Sequence, residues 1–226
     1  MGTHQMIIAM DGPSGSGKSS ASKGVARQLG FRYLDTGAMY RAVTWWMLDQ
    51  GIDVEDGAAV AARSGEPVIV SSTDPDVPGI TVDGEDVSEP IRTRAVTNAV
   101  SAVSRVPEVR QRLVGLQREI MATGSIVAEG RDIGSVVAPE APVKVFLTAS
   151  EETRALRRAK ELEHDVTASV ETTLREQARR DRLDSTRTTS PMTKADDAVE
   201  IDSTELGLAE VIDAVVRLVK ERATTG

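Results

Sequence analysis

The sequence predicts an α/β fold in which helices flank a parallel β-sheet. Short apolar segments alternate with helical patterns along most of the 226 residues, which is typical of parallel strands joined by helices. A glycine-rich loop joins the first expected strand to the first expected helix, another mark of this fold class. The length also allows a full hydrophobic core, so we expect one domain over residues 1–226.

The strands and helices are expected in a regular order. Strands are predicted over residues 6–10, 32–34, 126–128, 143–147 and 198–201. A helix is expected over 20–29, where Gly30 would end it. Further helices are predicted over 93–103, over 107–122 from Pro107 in the first turn, and over 208–219, where apolar residues recur at helical spacing.

Two segments interrupt this alternation. Residues 66–91 are rich in proline but contain short β-like pieces at 68–72 and 80–82 with an Asp83-Gly84 turn, so we expect a small antiparallel insertion; a disordered linker is the alternative. Residues 150–182 are strongly charged and helical in pattern, with a break near 165–167 where Thr167 can cap a helix, and a polar, flexible connection follows at 187–191. We expect residues 151–194 to form a lid on a core made of residues 6–65, 92–150 and 195–226.

The loop after the first strand carries the strongest functional signal. Residues 12–19 read GPSGSGKS and fit G-x-x-x-x-G-K-[ST] at every fixed position. Glycines let successive N–H groups turn toward a phosphate, Lys18 adds a positive charge, and the Ser19 hydroxyl can bind Mg²⁺. Because a strand precedes the loop and a helix follows it, we favour a nucleotide-binding loop over a chance glycine-serine turn.

Composition excludes several classes of function. The 27 basic and 35 acidic residues give a net charge of −8, which argues against a broad nucleic-acid surface. The chain has no cysteine and only two histidines, so a thiol nucleophile or a histidine-rich metal site is not expected. No apolar run is long enough to span a membrane, and residues 1–5 do not resemble a signal peptide but a disordered end. We expect a cytoplasmic protein without a membrane or nucleic-acid partner.

The positions of the arginines indicate which type of reaction the loop supports. Phosphoryl transfer needs several cations converging on the moving group, and the candidates are Arg41, Arg131, Arg180 and Arg187. Arg131 and Asp132 directly follow the strand at 126–128, at the sheet edge where α/β proteins bind ligands. For each arginine the alternative is a solvated surface position.

The motifs together resemble the bacterial cytidylate kinase family over nearly the whole chain. The segments that carry the resemblance are DGPSGSGKS at 11–19, LDTGAMYR at 34–41, GEDVS at 84–88, IR at 91–92, EGRDIG at 129–134, APVKVFL at 141–147, RD at 180–181 and DSTR at 184–187. The resemblance implies a P-loop kinase core, a β-rich insertion that enlarges the monophosphate pocket and a helical lid.

The same resemblance implies a site with two nucleotides. ATP with Mg²⁺ is expected on Gly12, Pro13, Ser14, Gly15, Ser16, Gly17, Lys18, Ser19, Ser20 and Arg157, with Ser19 toward the metal. CMP or dCMP is expected on Thr36, Arg41, Ser101, Arg110, Arg131, Asp132, Arg180, Asp184 and Arg187. Lys18, Arg131, Arg180 and Arg187 would be catalytic. Arg157 shares a helix face with Arg154 and Arg158, for which plain helix surface is the alternative.

The expected reaction is the ATP-dependent phosphorylation of CMP and dCMP by a monomer. Other readings stay open at this point: a kinase for UMP, another monophosphate or a small alcohol; a GTP-dependent switch; and a loop without nucleotide affinity.

Overall fold

A computed structural model of the chain describes residues 5–161 and 170–225. Its main sheet has five parallel strands in the order β2-β6-β1-β7-β8. These strands are β1 Ile7–Asp11, β2 Arg32–Asp35, β6 Ile126–Gly130, β7 Val143–Thr148 and β8 Val199–Asp202. All five expected strands are present, and the α/β class predicted from the alternation is confirmed. Of the disordered end expected at 1–5, residues 1–4 lie outside the described residues, and the Gln5 side chain donates a hydrogen bond to the Met121 carbonyl.

Eight helices accompany the two sheets within the described part of the chain. They are α1 Lys18–Leu29, α2 Thr36–Asp49, α3 Gly57–Arg63, α4 Arg94–Ser104, α5 Pro107–Met121, α6 Glu151–Glu161, α7 Val170–Thr186 and α8 Leu208–Thr225. Helix α1 ends at Gly30, whose φ of 67° is the left-handed conformation that favours glycine. Helix α2 begins where the Asp35 carboxylate accepts a hydrogen bond from the Ala38 N–H.

The main sheet is covered on both faces, as its parallel strands require. Ile8 and Met10 point to one face, where they pack against α1 and α8. The intervening Ala9 points to the other face and belongs to a core that includes residues of α2, α4 and α5. The near-continuous apolar runs of β1 and β6 therefore reflect burial on both sides.

The insertion forms a second, antiparallel sheet beside this core. Its strands are β3 Ile69–Ser71, β4 Ile80–Val82 and β5 Glu85–Asp86. Asp83 and Gly84 both have positive φ, 52° and 85°, as a two-residue hairpin turn requires. Ile80 and Val82 are buried in the same hydrophobic cluster as residues of α2, so this segment is structured rather than a linker.

Helices α6 and α7 pack against each other, and α7 also contacts α4. Helix α7 continues to Thr186, four residues beyond the charged helical stretch recognised in the sequence. The expected break at 165–167 and the Thr167 cap lie outside the described residues. Within 5–161 and 170–225, no helix combines the length and the apolar character that crossing a membrane would need.

Candidate active site

A cleft of about 360 Å³ opens at the carboxyl ends of β1 and β6. The chain leaves these two neighbouring strands toward opposite sides of the sheet, which is where open α/β sheets bind their ligands. The cleft is lined by the loop after β1, by the start of α2, by α4 and α5, by the loop after β6 and by α7. It is therefore a single space shared by elements that are far apart in the sequence.

The phosphate loop has a conformation that depends on glycine. Gly12, Gly15 and Gly17 all have positive φ. A Cβ atom on Gly12 would lie 2.1 Å from the Leu147 carbonyl oxygen, and one on Gly15 would lie 2.6 Å from the Gln177 amide nitrogen. The first glycine thus lets the loop approach β7, and the second lets α6 and α7 pack directly onto it.

Positively charged side chains bind the carbonyl oxygens of this loop. Arg131 donates to Gly12 O, Lys18 to Pro13 O at 2.7 Å, Arg154 to Ser14 O at 3.0 Å and Arg157 to Ser16 O at 3.3 Å. The negative ends of the peptide dipoles are therefore neutralised by cations. Apart from the Ser14 N–H, which donates to Asp181 at 3.1 Å, the N–H groups of the loop remain to interact with an anion, which is the electrostatic requirement of a phosphate site.

Lys18 is buried at the centre of the loop. Burial, followed by the charge of the nearby Arg131, lowers the pKa of its ammonium group from 10.5 to about 7, while Glu129 opposes the change. Its amine contacts Pro13 O and, at 3.4 Å, the Ser16 hydroxyl. An anion in the cleft would stabilise the charged form of this lysine.

Glu129 at the end of β6 is a buried carboxylate surrounded by hydroxyl groups. Ser19 donates to its Oε2 at 2.9 Å, and the Tyr33 hydroxyl donates to its Oε1. Burial, followed by the charge of Asp35, raises the pKa of Glu129. The Thr36 hydroxyl donates to the Glu129 carbonyl at 2.7 Å. Ser19 and Glu129 thus form a pair of oxygen ligands beside the loop.

Arginines converge at the centre of the cleft. Arg131 Nε lies 3.0 Å from Asp184 Oδ2, and Arg41 pairs with Asp35 at 3.0 Å. Burial and the charge of Arg131 lower the pKa of Arg180 to about 10. The Nε of Arg180 has no hydrogen-bond partner among the described residues, whereas Arg187 is paired with Asp132 at 3.6 Å and with Asp184 at 3.9 Å. A buried cation with a free donor predicts an anionic ligand here.

A charged pair closes the far end of the cleft. Arg110 on α5 and Asp132 after β6 form a buried ion pair, and the Arg110 guanidinium lies over the Tyr40 ring at 5.2 Å. Burial is the main cause that raises the pKa of Asp132, and the charge of Arg110 opposes it. Ser101 on α4 is also buried and lines this end. These groups offer both donors and acceptors to a ligand.

The structure brings most of the predicted site residues together. Those that line the cleft are Ser14, Gly15, Gly17, Lys18, Ser19, Ser20, Thr36, Arg41, Ser101, Arg110, Arg131, Asp132, Arg180, Asp184 and Arg187. Gly12, Pro13 and Ser16 contribute backbone to the loop but do not line the cleft. Arg157 instead donates to Ser203 and to Ser16 O, so its contact with ATP stays a prediction.

Other residues of the site went unassigned in the sequence. Tyr33 holds Glu129, and Asp181 accepts a hydrogen bond from the Ser14 N–H at 3.1 Å. The Ser203 hydroxyl donates to Ser16 O and Thr148 O. Asp181 could have been found from the sequence, because it follows Arg180 in one of the segments that carry the family resemblance. Nothing in the sequence pointed to Ser203, because only the pairing of β7 with β8 brings it to the loop.

Comparison with known proteins agrees with this geometry. The family model for cytidylate kinase matches residues 8–221. A cytidylate kinase from Streptomyces avermitilis is 57% identical over 96% of this chain and 94% of its own length. One from Streptomyces coelicolor is 59% identical over 96% and 94%, and one from Mycobacterium avium is 54% identical over 96% of both chains.

Solved structures support the fold at much lower sequence identity. A gluconokinase from Sinorhizobium meliloti aligns with a TM-score of 0.50 and 16% identity over 98% of this chain and 95% of its own. An uncharacterised protein from Eubacterium ventriosum aligns with a TM-score of 0.53 and 13% identity over 96% and 99%. At these identities the likeness concerns the fold alone.

The lowered pKa of Lys18 predicts that stability rises with pH above neutrality. Between about 7 in the folded chain and 10.5 in the unfolded chain, the unfolded state binds the extra proton, so the free energy of unfolding increases with pH. Urea unfolding at about pH 7.5 and about pH 9.5 should show wild type gaining about 2 kcal/mol more than Lys18→Met. Lys23→Met on the same helix is the control. Equal pH dependence in wild type and Lys18→Met would contradict the assignment.

Proposed function

The chain belongs to the cytidylate kinase family, and we propose that it transfers the γ-phosphoryl group of ATP to CMP and dCMP, giving CDP and dCDP. One observation carries the proposal beyond family membership. The cleft runs continuously from the phosphate loop, past a group of buried arginines, to the Arg110–Asp132 pair. It therefore has room for a donor nucleotide, a transferring group and an acceptor nucleotide in that order.

The donor half of the site is the loop and the start of α1. The N–H groups of residues 15–19 and the positive end of the α1 dipole would bind the ATP phosphates. Lys18 would contact the transferring phosphate, because its amine is held inside the loop by Pro13 O. Binding of ATP would restore the charge of this lysine near neutral pH, since phosphate charge raises the pKa that burial lowers.

The oxygen ligands near Ser19 suit Mg²⁺ that arrives with ATP. The Ser19 hydroxyl and the Glu129 carboxylate are hard oxygen ligands 2.9 Å apart. Within the described residues, no group of three or more acidic or histidine side chains could hold a metal by itself. We therefore expect the ion to be bound mainly by substrate phosphates, with Ser19 as the protein ligand. When bound, Mg²⁺ neutralises phosphate charge during transfer.

The acceptor phosphate would lie among the arginines. Arg41, Arg131 and Arg187 surround the middle of the cleft and would bind its oxygens, while Arg180 would contact the transferring group and, with Asp184, the ribose. The buried guanidinium of Arg180, whose Nε has no hydrogen-bond partner among the described residues, would supply a donor to the charge that spreads in the transition state. The acceptor phosphate is already ionised near neutral pH, so the reaction needs no general base.

The base would lie against the Arg110–Asp132 pair and Ser101. Cytosine presents an amino donor beside two acceptors, N3 and O2. An aspartate can accept from the amino group, while a serine and an arginine can donate to the acceptors. Arg110 Nε has no hydrogen-bond partner among the described residues, so a donor is free for this purpose. Uracil reverses the donor pattern at two of these positions and fits less well.

The remaining parts of the chain would support this reaction. We propose that residues 66–91 form a monophosphate-binding insertion, because Ser71, Ile80 and Ser88 line the cleft. Residues 151–194 would act as a lid, because Arg180 and Asp184 of α7, and Arg187 directly after it, line the cleft. The protein would act as a monomer in the cytoplasm, where both substrates occur. Thr36 completes the pocket through its bond to β6.

A panel of phosphate acceptors tests the proposed function. In an assay of ADP release from Mg·ATP, CMP and dCMP should be turned over with kcat/KM at least tenfold above UMP and far above AMP, GMP and shikimate, because only cytosine satisfies the buried pair. A GTP-dependent switch would hydrolyse GTP in the absence of a phosphate acceptor, so GTP hydrolysis without an acceptor is measured as the control for that alternative. Equal or better turnover of AMP or GMP would overturn the assignment.

Removing a contact to the base should change the selectivity between CMP and UMP more than it changes the binding of ATP. We expect Ser101→Ala and Arg110→Met to raise KM for CMP by about tenfold or more and to narrow the CMP-to-UMP ratio, because a cytosine acceptor loses its donor. The control is Arg105→Met, an exposed arginine one turn from Ser101. Steady-state kinetics should leave KM for ATP within about twofold. An unchanged CMP-to-UMP ratio in both variants would refute the base-reading role.

A further inference from the structure

Helix α7 presents different residues to the two halves of the cleft. Arg180 and Asp184 lie one turn apart on α7, at i and i+4, and both line the cleft. Arg187, which also lines the cleft, follows directly after the end of the helix. Asp181 lies about a quarter turn around the helix from Arg180. It accepts a hydrogen bond from the Ser14 N–H at 3.1 Å. The helix that carries Arg180 and Asp184, and that leads directly into Arg187, is thus bonded to the backbone of the donor loop.

Arg154 on α6 completes this contact. Its Nη1 donates to the Ser14 carbonyl at 3.0 Å and to the Asp181 carboxylate. Both partners are largely buried, with side chains 8% and 14% exposed. Ser14 is therefore held at its N–H by a carboxylate and at its carbonyl by a guanidinium, and those two groups are paired with each other.

Packing makes this arrangement stiff. The Gln177 amide nitrogen lies 3.4 Å from the Arg154 carbonyl, and a Cβ on Gly15 would overlap with both groups. The loop consequently has no space to shift at Gly15 without moving α6 or α7. A buried ion pair in such surroundings is sensitive to the loss of either partner.

We propose that Asp181 and Arg154 are positioning residues that couple nucleotide binding at the phosphate loop to the placement of Arg180, Asp184 and Arg187. The inference rests on the proposed function for the identity of the two ligands. Nucleotide phosphates that fix the conformation of the loop would also fix Ser14. Because the Asp181–Arg154 pair is bonded to Ser14, it would in turn restrict the position of α7. The acceptor arginines would then be held in place before the second nucleotide binds, so each nucleotide strengthens the binding of the other.

Titration calorimetry tests the coupling directly. The Kd of CMP is measured without and with saturating Mg²⁺ and adenylyl imidodiphosphate, a non-hydrolysable ATP analogue. Wild type should bind CMP at least about fivefold more tightly with the analogue, the lower end of typical coupling between two sites. We define the coupling ratio as the Kd of CMP without the analogue divided by the Kd of CMP with it. In Asp181→Ala this ratio should fall to within about twofold of one. By reciprocity, the Kd of the analogue should then no longer depend on whether CMP is present.

Matched variants separate positioning from loss of structure. Asp181→Asn keeps an acceptor for the Ser14 N–H but loses the ion pair, so its ratio of CMP Kd values should lie between those of wild type and Asp181→Ala. If Asp181→Ala does not fold, Asp181→Asn is the variant that tests the coupling. Arg154→Met should reduce the ratio as Asp181→Ala does, and the double variant should lose no more than either single one. The control is Asp213→Asn, an exposed position on α8.

The outcomes distinguish the coupling from the function. A wild-type ratio near one, or a wild-type ratio retained in Asp181→Ala or Asp181→Asn, would overturn the inference while CMP phosphorylation stands. Failure of wild type to bind or phosphorylate CMP in the acceptor panel would instead overturn the proposed function.

Discussion

The bonding of the phosphate-loop carbonyls to cations is the constraint on which the rest of the site depends. Lys18, Arg131, Arg154 and Arg157 come from α1, the end of β6 and α6, and each binds a carbonyl oxygen of the loop. A glycine-rich loop alone could adopt many conformations. These four contacts select one conformation and neutralise the dipole ends that would repel phosphate, so the fold of the whole chain determines the electrostatics of a short segment.

The same arrangement has an energetic cost when no anion is bound. Burial lowers the pKa of Lys18 and of Arg180, which shows that their charged forms are less well stabilised than in water. Arg131 adds repulsion to both. Anionic substrates relieve this cost, and a transition state with charge spread over several oxygens relieves it most. The buried cations of the cleft are thus matched to phosphoryl transfer between two nucleotides rather than to stability of the free protein.

Local patterns in the sequence predicted the fold and the phosphate loop, whereas Ser101 and Arg110 were predicted only from the resemblance to a family. Strand and helix periodicity predicted the parallel sheet, and the position of Arg131 and Asp132 directly after a strand placed them at the edge of the sheet where the cleft opens. The support of the loop was harder to predict. Arginine side chains are long, so their sequence position did not show that Arg157 would bind Ser16 O and Ser203 instead of lining the cleft. Asp181 and Tyr33 act through tertiary contacts that no local spacing encodes.

The most direct test of this account is a crystal structure of the chain with Mg²⁺, adenylyl imidodiphosphate and CMP. The account predicts that the phosphates lie on the N–H groups of the loop while Arg131, Lys18, Arg154 and Arg157 keep their carbonyl partners, and that the cytosine contacts Arg110 and Asp132. A loop that refolds on binding, with its carbonyls released from these cations, would contradict the claim that the protein builds the phosphate site before the nucleotide arrives.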